Sequence, residues 1–309
     1  MTETAKAMSF TLPDYRHHLT HLDGERRALW HYFNPASRPV LSRGILTEIL
    51  DIQERVKLHL SSCVDDQSEI HYLVAASANP RVFSLGGDLE LFASSIRSGE
   101  RDHLLAYARL CVECIFNSCT NVGNPNLTTI SLVQGSALGG GFEAALSTNV
   151  LVAERSATFA LPEILFNLFP GMGAYSLLSR RLDMARAERF LTSGRQYSAT
   201  ELHDLGIVDV LAEDGQGVHA VNSYIRKHSR SRDGLLAIQQ VRQRLAPLGF
   251  QELMDVATIW VDTAMRLTER DLRTMERLVA AQDRLVQRND SAVSAPRPES
   301  ARVAYAGAA

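Results

Sequence analysis

No stretch of the 309-residue chain approaches 18 uninterrupted apolar residues, which argues against a membrane-spanning helix. The opening, Met1 to Met8, carries no apolar run that could act as a secretory signal. Positive charge is not in excess: 32 Lys and Arg against 35 Asp and Glu leave a formal net charge of -3, so no global field favours nucleic acid. Cysteine is scarce, with four in all. Cys111 and Cys114 have the spacing of a metal or redox pair, yet no second pair and no nearby His completes a zinc set, and the segment reads as helical. Free, buried thiols in a reducing compartment are expected, and no metal site. No internal repeat is detectable in the sequence. These absences describe a soluble, cytoplasmic protein.

What is present is ordinary globular stock, 45% hydrophobic and 22% charged, enough for one large domain or a core with an appended module. Residues 1–25 are polar and weakly patterned and read as an N-terminal extension. A strand is expected at Arg27–Tyr32, and a helix from Gly44 to Leu60, where Ile45, Ile49, Ile52, Val56 and Leu60 recur every three or four residues. His71–Ala76 reads as a short buried strand, followed by Val82–Leu85, with Asp88 as the N-cap of the helix beginning at Leu89. Helix is expected again over Arg101–Ser118, strand over Leu127–Val133, helix from Phe142 to Leu146, and strand over Val150–Ala153. From Met172 onward the chain reads as mostly helical, with one short strand at Ile207–Leu211. Strands alternating with helices predict an α/β fold with parallel crossovers.

The core is expected to occupy residues 26–230. Residues 231–287 read as a helical C-terminal region, continuous from Asp233 to Val286, with an amphipathic run through Leu253, Val256, Ile259, Trp260, Thr263 and Leu267. That region is suited to covering an active site or packing on another subunit. Residues 288–309, rich in Ser, Ala, Pro and Arg, read as a disordered tail.

Chemistry concentrates in two glutamates. Glu143 follows Gly139-Gly140-Gly141, and Glu163 lies in Leu161-Pro162-Glu163 ahead of Pro170-Gly171. Two carboxylates in different protonation states can take and give a proton within one turnover. The triple glycine lies between a strand and a helix, so its N–H groups are expected at a helix N-terminus. Gly86-Gly87-Asp88 offers the same arrangement earlier in the chain, and two such turns side by side supply two donors for one oxyanion. Other patterns fail. Gly171-Met172-Gly173 imitates a dinucleotide fingerprint but lacks the third glycine and a preceding strand, and Gly135-Ser136-Ala137-Leu138-Gly139 is one residue too long for a serine-hydrolase elbow. The basic run Arg226–Arg232 is a solvated loop or, alternatively, a contact for an acidic carrier protein or a cofactor phosphate.

The segments Val82–Asp88, Gln134–Glu143 and Leu161–Gly171, in this order and spacing, resemble the enoyl-CoA hydratase (crotonase) superfamily over roughly residues 70 to 215. The resemblance implies a spiral of repeated ββα units, with the helical C-terminal region appended. It implies an oxyanion hole from the N–H groups of Gly87 and Gly140, Glu143 and Glu163 as the acid/base pair, and no cofactor beyond a substrate carried as a thioester of acyl carrier protein or CoA. Gly86, Leu138, Gly139, Met172 and Trp260 are expected to contact substrate, with Leu138, Met172 and Trp260 in an apolar tunnel for the acyl chain. The wording Pro162–Tyr175, with Asn167 where many hydratases have Gly, and the stretch Trp30–Pro39 look most like the bacterial diffusible-signal-factor synthases. That likeness implies dehydration of a 3-hydroxyacyl thioester to the cis-2-enoyl form, then thioester hydrolysis releasing a cis-2-unsaturated fatty acid. It also implies a sensor kinase as a partner and assembly as a homo-oligomer, a trimer or hexamer. Hydration or isomerisation of enoyl-CoA in fatty-acid breakdown is the alternative, and a binding role on the kinase is the alternative of another class.

Overall fold

The computed structural model describes residues 10–63 and 68–290. A hairpin of β1 (His18–Asp23) and β2 (Ala28–Phe33) leads to the long helix α1 (Arg43–Ser62), which Ser42 caps by accepting the Ile45 N–H. Three units of one plan follow. The first comprises β3 (Tyr72–Ser77), β4 (Val82–Ser84), α2 (Leu89–Arg97) and α3 (Arg101–Cys119). The second is β5 (Thr128–Val133), β6 (Ser136–Leu138) and α4 (Gly140–Leu146). The third is β7 (Val150–Glu154), β8 (Thr158–Ala160), a 3-10 turn at Pro162–Phe166 and α5 (Ala174–Arg181). Then come α6 (Met184–Ser193), β9 (Gln196–Ser198), α7 (Ala199–Asp204), β10 (Val210–Ala212) and α8 (Gly217–His228). Three further helices complete the described chain: α9 (Arg232–Leu245), α10 (Phe250–Ala264) and α11 (Glu269–Asp290).

The first strand of each unit enters one sheet and the second strand enters another. The larger sheet runs β1-β2-β3-β5-β7-β10, the smaller β4-β6-β8-β9. All pairings are parallel except β1 with β2 and β8 with β9. The central strands are buried on both faces: β3 and β7 are largely apolar and every residue of β7 is buried, while β5 carries Thr128, Thr129 and Ser131. Trp30, Val74, Ile130 and Val152 face Val221 and Ile225 of α8, while Leu151 and Val133 belong to the main core with α3 and α4.

Several expectations need correction. The stretch read as an extension carries β1, whose pairing with β2 places it in the large sheet. Its half-exposed, mixed polar residues gave no period-2 signal. β6, β8 and β9 were not anticipated; three residues each are too few to show alternation. The helical C-terminal region is broken twice. Pro247 and Gly249 follow the end of α9, and Thr268 opens α11, its hydroxyl and N–H both donating to Asp271. In α10 the buried stripe is Leu253, Ala257, Trp260, Val261 and Ala264, while Ile259 is exposed. The four cysteines are free. No described helix is long and apolar enough to cross a membrane. The tail expected from 288 lies outside the described residues beyond Asp290, as do residues 1–9.

Candidate active site

Because β4, β6 and β8 are neighbours in the small sheet, the turns leaving them lie side by side. The first carries Gly86 and Gly87, the second Gly139 and Gly140, and the third Glu163. The two glycine turns approach so closely that side chains are barred. A Cβ on Gly86, whose φ is +96°, would come within 2.7 Å of the Leu138 carbonyl oxygen and 3.2 Å of the Gly140 nitrogen. One on Gly140 would stand 3.5 Å from the Gly87 nitrogen. Neither Gly87 N–H nor Gly140 N–H has a protein acceptor among the described residues. Both glycines line one pocket with Glu143 and Glu163.

The first turn is held from outside. Leu41 bridges to Gly87 as a parallel partner, and its N–H donates to the Gly86 carbonyl at 2.8 Å. The buried Tyr107 hydroxyl on α3 donates to the Leu41 carbonyl at 2.6 Å and accepts the Asp88 N–H at 3.3 Å. Asp88 in turn caps α2 by accepting the Leu91 N–H, as its position after the glycines suggests.

Glu143, on α4, is 1% exposed, so its charge has no water to solvate it. Its Oε1 accepts the N–H of Met172 at 2.8 Å and of Ala174 at 2.9 Å. Burial pushes its pKa up to about 7, and the N–H groups of Ala174, Met172 and Gly173 oppose that rise by stabilising the anion. Glu163 is raised to about 8, by burial first and then by the charge of Glu143. Its Oε2 is enclosed without a hydrogen-bond partner. Gly139 makes room for its other oxygen, since a Cβ there would lie 2.5 Å from Oε1. The turn bearing Glu163 closes at Asn167 in the left-handed region, φ 62° and ψ 33°, as its substitution for glycine suggests.

Met172 and Trp260 line the same pocket, with Phe92, Phe166 and Leu168. Trp260 packs edge-on against Phe92 at 5.0 Å between centroids. Leu138 does not line it: the side chain packs with Val40, Val82 and Leu85, because strand alternation turns it away from the turn it precedes. Gly86 and Gly139 flank the pocket and permit the close approach. Sequence reasoning missed Tyr107 and Cys111, whose only signal was the helical spacing Leu104, Tyr107, Ala108, Cys111. Burial pushes the Cys111 thiol up, so it is no thiolate nucleophile. The basic run Arg226–Arg232 lies elsewhere: Arg226 and Arg232 line a surface hollow with Arg27 and His71, at the starts of β2 and β3.

The enoyl-CoA hydratase/isomerase family model matches residues 54–245. The chain belongs to this family. Among relatives, the enoyl-CoA isomerase/hydratase fer4 of Mycosarcoma maydis is 27% identical over 213 residues, 68% of this chain and 72% of that one. A probable enoyl-CoA hydratase of Bacillus subtilis is 31% identical over 166 residues, 53% of this chain and 61% of the relative. The peroxisomal fatty acid beta-oxidation multifunctional protein AIM1 of Arabidopsis thaliana is matched over only 20% of its length, at 29% identity over 49% of this chain. Solved structures share the fold: enoyl-CoA hydratase of Bacillus halodurans, TM-score 0.69 at 21% identity, over 85% of this chain and 99% of that one. DspI of Pseudomonas aeruginosa superposes with TM-score 0.64 at 22% identity, over 88% of this chain and 98% of that one. The fold is therefore that of the enoyl-CoA hydratase/isomerase family, a spiral of ββα units followed by C-terminal helices.

Proposed function

We propose that the chain dehydrates a 3-hydroxyacyl thioester to the cis-2-enoyl form and then hydrolyses the thioester, releasing a cis-2-unsaturated fatty acid. The observation that carries the acid/base chemistry is the unequal pair of buried carboxyls beside two free N–H donors. The thioester carbonyl lies between Gly87 N–H and Gly140 N–H. Glu143, whose anion is held by backbone N–H groups, takes the C2 proton, and charge moves onto the carbonyl oxygen. Each donor there stabilises the transition state by about 2.7–4 kcal/mol. Glu163, protonated at neutral pH, gives its proton to the departing 3-hydroxyl. In the second step Glu163, now ionised, takes a proton from water as its oxygen attacks the thioester carbon, and the same donors hold the tetrahedral oxyanion. Collapse breaks the C–S bond, and Glu143 returns its proton to the departing carrier thiolate, which restores both carboxyls. The finer choice of a signal synthase rests on the likeness of Pro162–Tyr175 to those enzymes, with acyl carrier protein as thioester carrier, a sensor kinase as partner and a homo-oligomeric assembly.

A second reading, hydration or isomerisation of enoyl-CoA, is favoured by the activities named for the relatives. Purified protein with 3-hydroxyacyl carrier protein separates the two. Free unsaturated acid detected by mass spectrometry supports the synthase, whereas rapid hydration of enoyl-CoA without acid release selects the hydratase. Retention of kinase binding in a Glu143→Gln, Glu163→Gln double variant tests the partner independently.

A further inference from the structure

A second cavity lies end to end with the catalytic pocket. Along α3, Tyr107, Ala108 and Cys111 line the first, and Cys114, Ile115 and Ser118 line the second. Along α4, Gly140 and Glu143 line the first, and Ala144 and Ser147 line the second. Both cavities therefore follow the same two helices, over roughly 16 Å of α3 at 1.5 Å per residue. Each has a volume of about 40 Å³, so the second is no larger than the first.

One side chain, Met172, belongs to both linings. Its sulfur lies 2.6 Å from where a Cβ on Gly140 would stand, directly beside the oxyanion donor, with Leu41 Cδ1 at 3.3 Å. The Met172 backbone is fixed by its bond to Glu143, while its buried, unbranched side chain has three rotatable torsions. Beyond it Leu41, and Leu46 and Ile49 of α1, form an apolar wall, with Gln53, Ser118, Thr129, Ser147 and Thr148 among the other lining residues.

The far floor is unlike close-packed core. His31 and Ala75 line it in register across β2 and β3; Ser131 of β5 continues the row behind the lining. His31 Nδ1 and Ser131 Oγ are both buried without a partner. Buried polar atoms nearly always find partners, so two orphans in one row mark space left for a guest or for water. The half-buried state of Ala75, in the middle of a central strand, says the same.

We propose that Met172 is a gate, and that the distal end of a medium or long acyl chain passes it into this second chamber. The proposal rests on the acyl-thioester reading of the catalytic pocket and adds where the chain goes. His31 at the floor ends the hydrocarbon path, because further methylenes would strip water from its ring without replacing the hydrogen bonds.

Two experiments test it. In Ala144→Leu and, separately, Ala75→Val, the ratio of kcat/KM for a long-chain over a crotonyl-sized thioester should fall by about tenfold or more relative to the parent chain. An unchanged ratio in folded variants overturns the proposal. Should both variants fail to fold, the unaltered protein is photolysed with a long-chain acyl group bearing a terminal diazirine, as its CoA and its acyl carrier protein thioester. Labelled peptides from residues 41–53 or 114–118 support the chamber. Labels confined to α2, α11 or the surface overturn it while turnover of the thioester persists. No turnover of any thioester and no labelling would instead reject the acyl-thioester reading, and the chamber with it.

Discussion

Glu143 and Glu163 face one pocket from walls built differently. Glu143 stands on α4 and receives two short hydrogen bonds, from Met172 in the loop ahead of α5 and from Ala174 at its first position. Glu163 stands on a 3-10 turn, with one oxygen enclosed and unpartnered. Burial raises both acids; the N–H groups of Ala174, Met172 and Gly173 oppose the rise at Glu143, while Glu163 has only its own N–H and also feels the charge of Glu143. The difference teaches how one pocket sets two carboxyls apart: desolvation acts on both, and the number of backbone donors differs.

The largest effect expected from breaking this asymmetry is loss of the carboxyls themselves. Glu143→Gln and Glu163→Gln should each lower kcat by about 10²–10⁴, measured as turnover of the acyl thioester. Full activity in either variant removes that residue from the scheme. The pH profile sharpens the roles. With Glu143 ionised and Glu163 protonated, kcat/KM should fall on the acid side of about 7 and on the alkaline side of about 8. These limbs belong to the pair, so either substitution should turn the bell into a single limb.

Gly86→Ala leaves both carboxyls in place but drives a methyl into the Leu138 carbonyl. It should lower kcat by about 10²–10³ through the displaced donors, with a smaller change in KM.

Stability carries the same asymmetry with the opposite benefit. Both carboxyls have folded values above the ordinary 4.5, so their contribution is intact below that value and is lost as pH rises through about 7 and 8. Glu163→Gln should therefore raise Tm over the parent at alkaline pH, by the equivalent of roughly 2–4 kcal/mol, with the gain vanishing below about pH 4.5. A Tm difference independent of pH would contradict the raised pKa. The smallest effect is at the turn holding Glu163: Asn167→Ala should cost about 1 kcal/mol in thermal or urea unfolding, and Asn167→Gly less, because only the former puts a poorly tolerated side chain in the left-handed region.

Much of this was legible in the chain. The central strands β3 and β7 are largely apolar because both their faces are covered, and such runs announce themselves. Asp88 after two glycines and Asn167 in a glycine's place declared a cap and a left-handed turn. The three-residue strands were not legible, because their stability comes from neighbours in the small sheet rather than from any local pattern. Leu138 was assigned to the pocket by adjacency in sequence, and alternation along β6 turned its side chain the other way.

By itself the sequence determined which groups are available: two glutamates, two glycine turns and an apolar Met172 and Trp260. It also determined where strands give way to turns, since glycine and short polar residues act locally. Only the tertiary structure decided that the turns after β4, β6 and β8 converge, because parallel pairing of strands far apart in sequence aligns them. It also decided how far each carboxyl is raised, since desolvation and the N–H groups of Met172 and Ala174 are properties of the assembled pocket and of no single segment.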